Sequence, residues 1–238
     1  MKVFQTNPRL VFLSDDKVYK FFNSQHECDD EVKLIQSSPM VNFYDAESGF
    51  TMRFVEIVEF GDFFYTMKAI KGEKLTLLCD PCAYKYAGIW LRCFHNLTYK
   101  DHIKTACLFG DYSIDHIYID NVNKVVSTID PGISFGNVGK VEIDLSRFIV
   151  SIFQIKSINI SRMAQQISEF FDGYGVKKID FGILTKLISS RISKNFEKRI
   201  KLGTGLRRFF SAYFWLVNST IKYYFINRSL KKKIKNEH

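Results

Sequence analysis

No stretch of this sequence holds the roughly 18 or more uncharged apolar residues that a membrane-crossing helix needs. The best candidate, residues 209–217, is too short. No secretory leader is legible either, because residues 1–10 are polar and interrupted by Pro8. Cysteine is scarce and odd in number, five in 238 residues, which argues against a disulfide framework and for reduced thiols in a cytosolic compartment. Cys79 and Cys82 make a lone CxxC. With no second CxxC or HxxxH to complete a zinc site, the preferred reading is ordinary packing at a helix start around Pro81. Internal repeats and low-complexity tracts are absent.

What is present points to a packed globular protein. Hydrophobic residues make up 46% of the chain and aromatics 16%, with 23 Phe and 12 Tyr, far from a disorder-prone composition. The net charge of +9 is unevenly placed, with Lys and Arg dense from Lys177 onward and the first third near balance or acidic. A basic final third suggests an acidic partner.

The opening segments read as strands. Residues 9–14 and 17–22 are β-rich runs joined by Asp15 and Asp16, a hairpin signal. Residues 27–36 put Cys28, Val32 and Ile35 on one helical face, with Ser37, Ser38 and Pro39 as a stop. Two more strand-like runs, 50–60 and 63–69, flank Gly61 and Asp62. The expectation is a small domain of four strands and one helix, ending near residue 72. Helical periodicity follows over 81–104, with Tyr84, Ala87, Leu91 and Phe94 in phase. Short β-type runs at 105–109, 117–119 and 125–129 sit among Gly, Asp and Asn, the composition of a loop-rich site carried on strand ends. From 142 on the pattern is helical, with breaks at 172–175 and 202–205.

The chemistry concentrates between those short strands. Leu108-Phe109-Gly110-Asp111-Tyr112 is followed, after a turn at Asn121 and Asn123, by Ser127-Thr128-Ile129-Asp130-Pro131-Gly132. Two strand-end aspartates separated by one hairpin suit phosphoryl transfer, which needs one carboxylate to orient a hydroxyl and take its proton and another to hold the metal bridging the nucleotide phosphates.

This stretch resembles the signature of the aminoglycoside phosphotransferase and choline kinase family, in which His-Gly-Asp precedes an Asn and then an Ile-Asp strand end. The resemblance covers about residues 9–150 and is strongest over 108–148. It implies an α+β, two-lobed protein-kinase-like fold, with a small antiparallel-sheet N-lobe over 1–71 and a mainly helical C-lobe over 72–238. It also implies ATP and Mg²⁺, or Mn²⁺, as cofactors. Asp111 falls on the catalytic aspartate and Asp130 on the metal-binding one. Asp144, in Ile143-Asp144-Leu145, resembles the family's helix start that braces the catalytic loop. Lys20 stands where a strand lysine contacts the phosphates, and Glu31 can pair with it. Met67 and Ala69 lie in a segment resembling the linker whose backbone meets the adenine, and His95 resembles a structural His-X-Leu step.

The chain departs from the family pattern at three places: Phe109 replaces the motif's His, His116 stands where the second metal ligand is Asn, and Gln5 to Arg9 contain no glycine to cover phosphates. Imidazole at 116 shifts the metal preference from Mg²⁺ toward Mn²⁺ or Zn²⁺.

Residues 206–230 interleave Arg207, Arg208, Lys222 and Arg228 with aromatics, and Lys231, Lys232, Lys233 and Lys235 follow. This mixture suits peripheral contact with an anionic membrane surface, with nucleic acid as the competing partner and a helix pair packed on the larger lobe as the plain alternative. The expected activity is phosphorylation of a hydroxyl on a small-molecule or lipid-linked acceptor, with a cell-surface saccharide suggested by the lipopolysaccharide-type sugar kinases of the resembled family. The alternative is a catalytically impaired pseudokinase or scaffold.

Overall fold

The structure, a computed structural model, describes residues 2–6, 9–14, 16–36, 42–78, 80–132, 136–155, 159–177, 179–201 and 206–237. It divides into two compact units, one formed by 1–74 with 116–131, the other by 75–115 with 132–238.

Among the described residues the first unit contains two five-stranded sheets and one α-helix. Strands β1 (Lys2–Thr6), β2 (Arg9–Ser14) and β3 (Lys17–Phe21) form an antiparallel meander. Helix α1 (Gln25–Gln36) follows, burying Cys28, Val32 and Ile35 as their spacing demands. Next come β4 (Asn42–Asp45), β5 (Phe50–Phe54), β6 (Ile57–Gly61), β7 (Phe64–Lys68) and β8 (Glu73–Lys74). The first sheet has the order β1-β2-β3-β7-β6.

The second sheet takes in strands from later in the chain. After the two-residue strand β9 (Ala106–Cys107) come β10 (Ile117–Asp120) and β11 (Val125–Thr128), and the sheet order is β4-β5-β11-β10-β8. Here β11 runs parallel to β5, with Val126 opposite Met52, while β10 pairs with β8.

These pairings correct the sequence reading of one strand run. The run 50–60 is two strands in different sheets, because β5 is claimed by β4 and β11 and β6 by β7. The hairpin 116–131 belongs to the first compact unit, whose first segment runs to Lys74 and recruits this second segment some 40 residues later through β-pairing. Strand β1 was also missed, since a polar N-terminal run shows no period-2 apolar pattern.

The second unit is mainly helical: α2 (Cys82–Asn96), α3 (Glu142–Phe153), α4 (Ile160–Tyr174), α5 (Phe181–Lys201) and α6 (Leu206–Glu237), with β12 (Val138–Gly139) pairing β9. The helix expected over 81–104 stops at Asn96, because Thr98 turns its hydroxyl to accept from the Cys107 amide at 2.9 Å and Lys100 bridges Thr105. A break between α3 and α4 was not foreseen; Asn159 caps α4 by accepting from the Arg162 amide at 2.7 Å. Helices α2 and α4 cross so closely that a Cβ on Gly173 would lie 2.0 Å from the Lys85 carbonyl oxygen, a contact only glycine permits.

The core of this unit is aromatic. Trp90 meets Phe109 edge-on at 5.5 Å between centroids, Tyr112 stacks on Trp90 at 5.6 Å, and Phe148 stacks on Phe170 at 4.0 Å. Among the described residues no helix is long and apolar enough to cross a membrane. Cys28, Cys82 and Cys107 are free thiols. Cys79 lies outside the described residues; at Cys82 the Asp80 carboxylate pushes the thiol pKa up, the opposite of what a reactive thiolate needs.

Candidate active site

In the first unit, β3 presents Lys20 from the buried face of the sheet. Its ammonium donates to Glu31 Oε1 of α1 at 2.6 Å and also to Asp130 Oδ1, just past β11. Tyr65, directly opposite Lys20 on β7, donates its hydroxyl to the same Glu31 oxygen at 2.8 Å. The rings of Phe22 and Tyr65 both lie 5.8 Å from the ammonium. One buried cation is thus held between two carboxylates, and the long-range partner Asp130 comes from 110 residues away.

Asp130 itself adopts a left-handed backbone, φ 53°, a conformation that costs a non-glycine residue roughly 1–2 kcal/mol and collects at functional sites. Its side chain is 46% exposed. His116 lies beside it: the His116 carbonyl accepts from the Ile129 amide at 3.0 Å, and Ile117 pairs with Thr128. The sequence-expected residues Lys20, Glu31, Asp130 and His116 therefore belong to one unit. Tyr65 was not foreseen; nothing in a strand tyrosine signals a bond to a helix carboxylate.

Met67 sits in β7 opposite Val18, and the Ala69 amide donates to the Asp16 carbonyl at 2.6 Å. The backbone role expected of Ala69 is narrowed by this bond, since its only donor is taken and its carbonyl is what the segment can offer there.

The residues also bear on a divalent metal. Among the described residues no group of three or more His, Cys, Asp or Glu converges. Mg²⁺ and Mn²⁺ in phosphoryl transfer are held by one or two protein carboxylates together with substrate phosphates, so a half-exposed Asp130 with His116 next to it fits a shared site better than a closed protein cage.

In the second unit, Asp111 lies on the loop after Gly110, exposed to solvent, and that loop is held from behind by Asp144. Asp144 is fully buried at 0% exposure. Its carboxylate accepts from the Phe109 amide at 2.6 Å and the Gly110 amide at 3.0 Å. His95 Nε2 is 3.2 Å from Asp144 Oδ2, and His95 Nδ1 is 2.9 Å from the Tyr174 hydroxyl. Burial pushes the Tyr174 phenol well above its ordinary pKa, so it keeps its proton beside the imidazole.

Phe109 is fully buried in the aromatic core against Trp90, Phe94 and Tyr112. The loop is therefore anchored by packing where the family motif has a histidine. Gly132 closes in on the same loop: a Cβ there would lie 2.6 Å from the Asp111 nitrogen. Arg191 of α5, also unforeseen, donates to Ser146 Oγ at 2.7 Å. Burial lowers its pKa to about 10, with Arg147 adding to the shift and Asp144 and Asp111 opposing it, so it is a cation at neutral pH.

No protein-family model matches the sequence. A comparison with curated proteins likewise finds no match. The fold, however, is shared with solved structures. Aminoglycoside phosphotransferase APH(3'')-Id from Streptomyces rimosus aligns with a TM-score of 0.59 at 10% identity, covering 79% of this chain and 90% of that one. Amicoumacin kinase hAmiN, in complex with AMP-PNP, Ca²⁺ and Ami, aligns at 0.63 and 10% identity, covering 93% and 88%. Spectinomycin phosphotransferase APH(9)-Ia, in complex with ADP and spectinomycin, aligns at 0.57 and 11% identity, covering 96% and 93%. The chain has the two-lobed, protein-kinase-like fold of the aminoglycoside phosphotransferases.

Proposed function

We propose that this chain is an ATP-dependent phosphotransferase acting on a hydroxyl group. The observation that carries the proposal is Lys20 joined to both Glu31 and Asp130, the lysine–glutamate pair and metal-side carboxylate that phosphoryl transfer requires in place together. In this reading Lys20 orients the nucleotide phosphates, Glu31 and Tyr65 fix Lys20, and Asp130 with His116 holds the metal. A bound divalent ion would neutralise charge developing on the phosphates. Asp111 orients the acceptor hydroxyl and takes its proton as that oxygen bonds to the γ-phosphorus and the bond to ADP breaks. Asp144 keeps the Asp111 loop in shape.

Support also comes from solved neighbours whose complexes contain AMP-PNP or ADP with a small acceptor. By analogy the acceptor is a small hydroxylated molecule, and a lipid-linked or cell-surface saccharide is the finer reading. An ATP-using enzyme of this kind works on the cytoplasmic side. His116 in the place of an Asn favours Mn²⁺ alongside Mg²⁺.

A second reading, a scaffold that has lost catalysis, is favoured by the β1–β2 connection: Thr6 pairs Arg9, leaving two residues and no glycine to cover phosphates. Calorimetric titration of ATP with Mg²⁺ or Mn²⁺ into wild type and Asp130→Asn separates the two. Metal-dependent binding lost in the variant is the expected result; no binding to wild type in either metal would leave the scaffold.

A further inference from the structure

Helix α6 has two unlike faces. Toward the second unit it buries Ala212, Ser219, Lys222 and Ile226. Lys222, only 2% exposed, donates to the Phe153 carbonyl at 3.1 Å and the Ile155 carbonyl at 3.4 Å, closing the end of α3. Its charge is therefore spent inside the protein, which removes it from the basic surface the sequence suggested. Trp215 is half-buried, with the exposed Arg199 guanidinium 4.7 Å from its ring.

The opposite face is exposed and apolar. Tyr213, Phe214, Val217, Ile221 and Tyr224 recur at helical spacing, with Phe214 at 74% and Tyr224 at 65% exposure. At 1.5 Å per residue this stripe is about 16 Å long. Arg228, exposed, continues it four residues on. The helix then runs through Lys231, Lys232, Lys233 and Lys235, and no Asp or Glu occurs between Leu206 and Asn236. Such a face is costly to leave in water, and the helix from Leu206 to Asn236 carries charge of one sign.

We infer that this face of α6 docks on an anionic lipid bilayer. The aromatic stripe enters the headgroup boundary with the helix lying flat, and the basic residues meet acidic headgroups. No helix among the described residues is apolar enough to insert across, which leaves the surface-lying mode. The absence of acidic side chains from Leu206 to Asn236 selects an acidic surface over a neutral one. The inference deepens the proposed function, since it rests on that reading for its purpose, bringing a phosphotransferase to a lipid-linked acceptor; the docking itself is measured apart from it.

The test is sedimentation of the full chain with vesicles of phosphatidylcholine alone and of phosphatidylcholine with phosphatidylglycerol. Binding to the anionic vesicles only is expected, weakened by salt and reduced roughly tenfold or more in Phe214→Glu/Tyr224→Glu. The calorimetric ATP titration on the same variant should be unchanged, which reports both its folding and the separate fate of the kinase reading. Wild type failing to sediment with either vesicle overturns the inference, as does anionic binding that the double variant retains. A concentration-dependent dimer abolished by the double substitution, with no vesicle binding, would assign the face to a second copy. Tight binding of a single-stranded oligonucleotide without vesicle binding would assign it to nucleic acid.

Discussion

Asp144 shows how much one buried residue contributes to this site. A carboxylate at 0% exposure is tolerated because two loop amides and His95 Nε2 meet it, so desolvation is offset by directed donors. Asp144→Asn keeps the shape but turns an NH₂ toward groups that also donate. The expected cost is roughly 2–4 kcal/mol, read from urea unfolding, together with a loss of ATP turnover as the Asp111 loop relaxes. Asp130 is the complementary case, a residue held in a strained left-handed backbone by its partners. Both aspartates stand out in the motif, but the residues that support their neighbours, Tyr65 at Glu31, Tyr174 at His95 and Arg191 at Ser146, do not. Each reaches its partner across 34 or more residues, and no local pattern marks such a pair.

Among the elements, the β10–β11 hairpin is the one that fixes the position of Asp130. Its turn is organised by Asp120, which accepts from the Val122 and Asn123 amides at 3.0 and 2.9 Å and from the Asn123 side chain at 2.7 Å. The Asn123 side-chain bond, followed by the amide bonds, holds the Asp120 carboxyl below its ordinary value of 3.8. The unfolded chain then takes up this proton first as pH falls, so the stabilisation is complete above about pH 4 and disappears as pH drops through the folded-state value. Asp120→Ala should cost about 1–2 kcal/mol at pH 7, and the difference from wild type should shrink on acidification. Urea titrations at pH 7 and pH 3 measure both; a gap that widens at pH 3 would contradict the sign.

At the scale of the whole molecule, the chain completes its first unit only after an excursion of some 40 residues into the second, returning for 116–131. Lys20, Glu31 and Asp130, the residues proposed to serve the nucleotide and its metal, all belong to that first unit. ATP with metal at about a hundred times its Kd should therefore stabilise the fold by about 2.7 kcal/mol, a rise in Tm of roughly 5–10 °C for a chain of this size. A thermal melt with ATP and Mn²⁺ checks this. The shift should vanish without metal and in Asp130→Asn.

The sequence by itself determined the order of motifs and the helical character after residue 142, and it offered Glu31 as a partner for Lys20 and Asp144 as the loop's brace. These rest on local spacing or on a motif contiguous in the chain. Tertiary structure decided the rest. It split the run 50–60 between two sheets, since strand identity is set by which neighbour supplies the ladder. It ended α2 at Asn96, where a hydroxyl–amide bond outcompeted helix propagation. It divided α6 into a face that buries a lysine and a face that exposes phenylalanine and tyrosine. Composition alone reads both faces as a basic aromatic tail; only packing, which satisfies Lys222 with backbone carbonyls and leaves Phe214 in water, tells them apart.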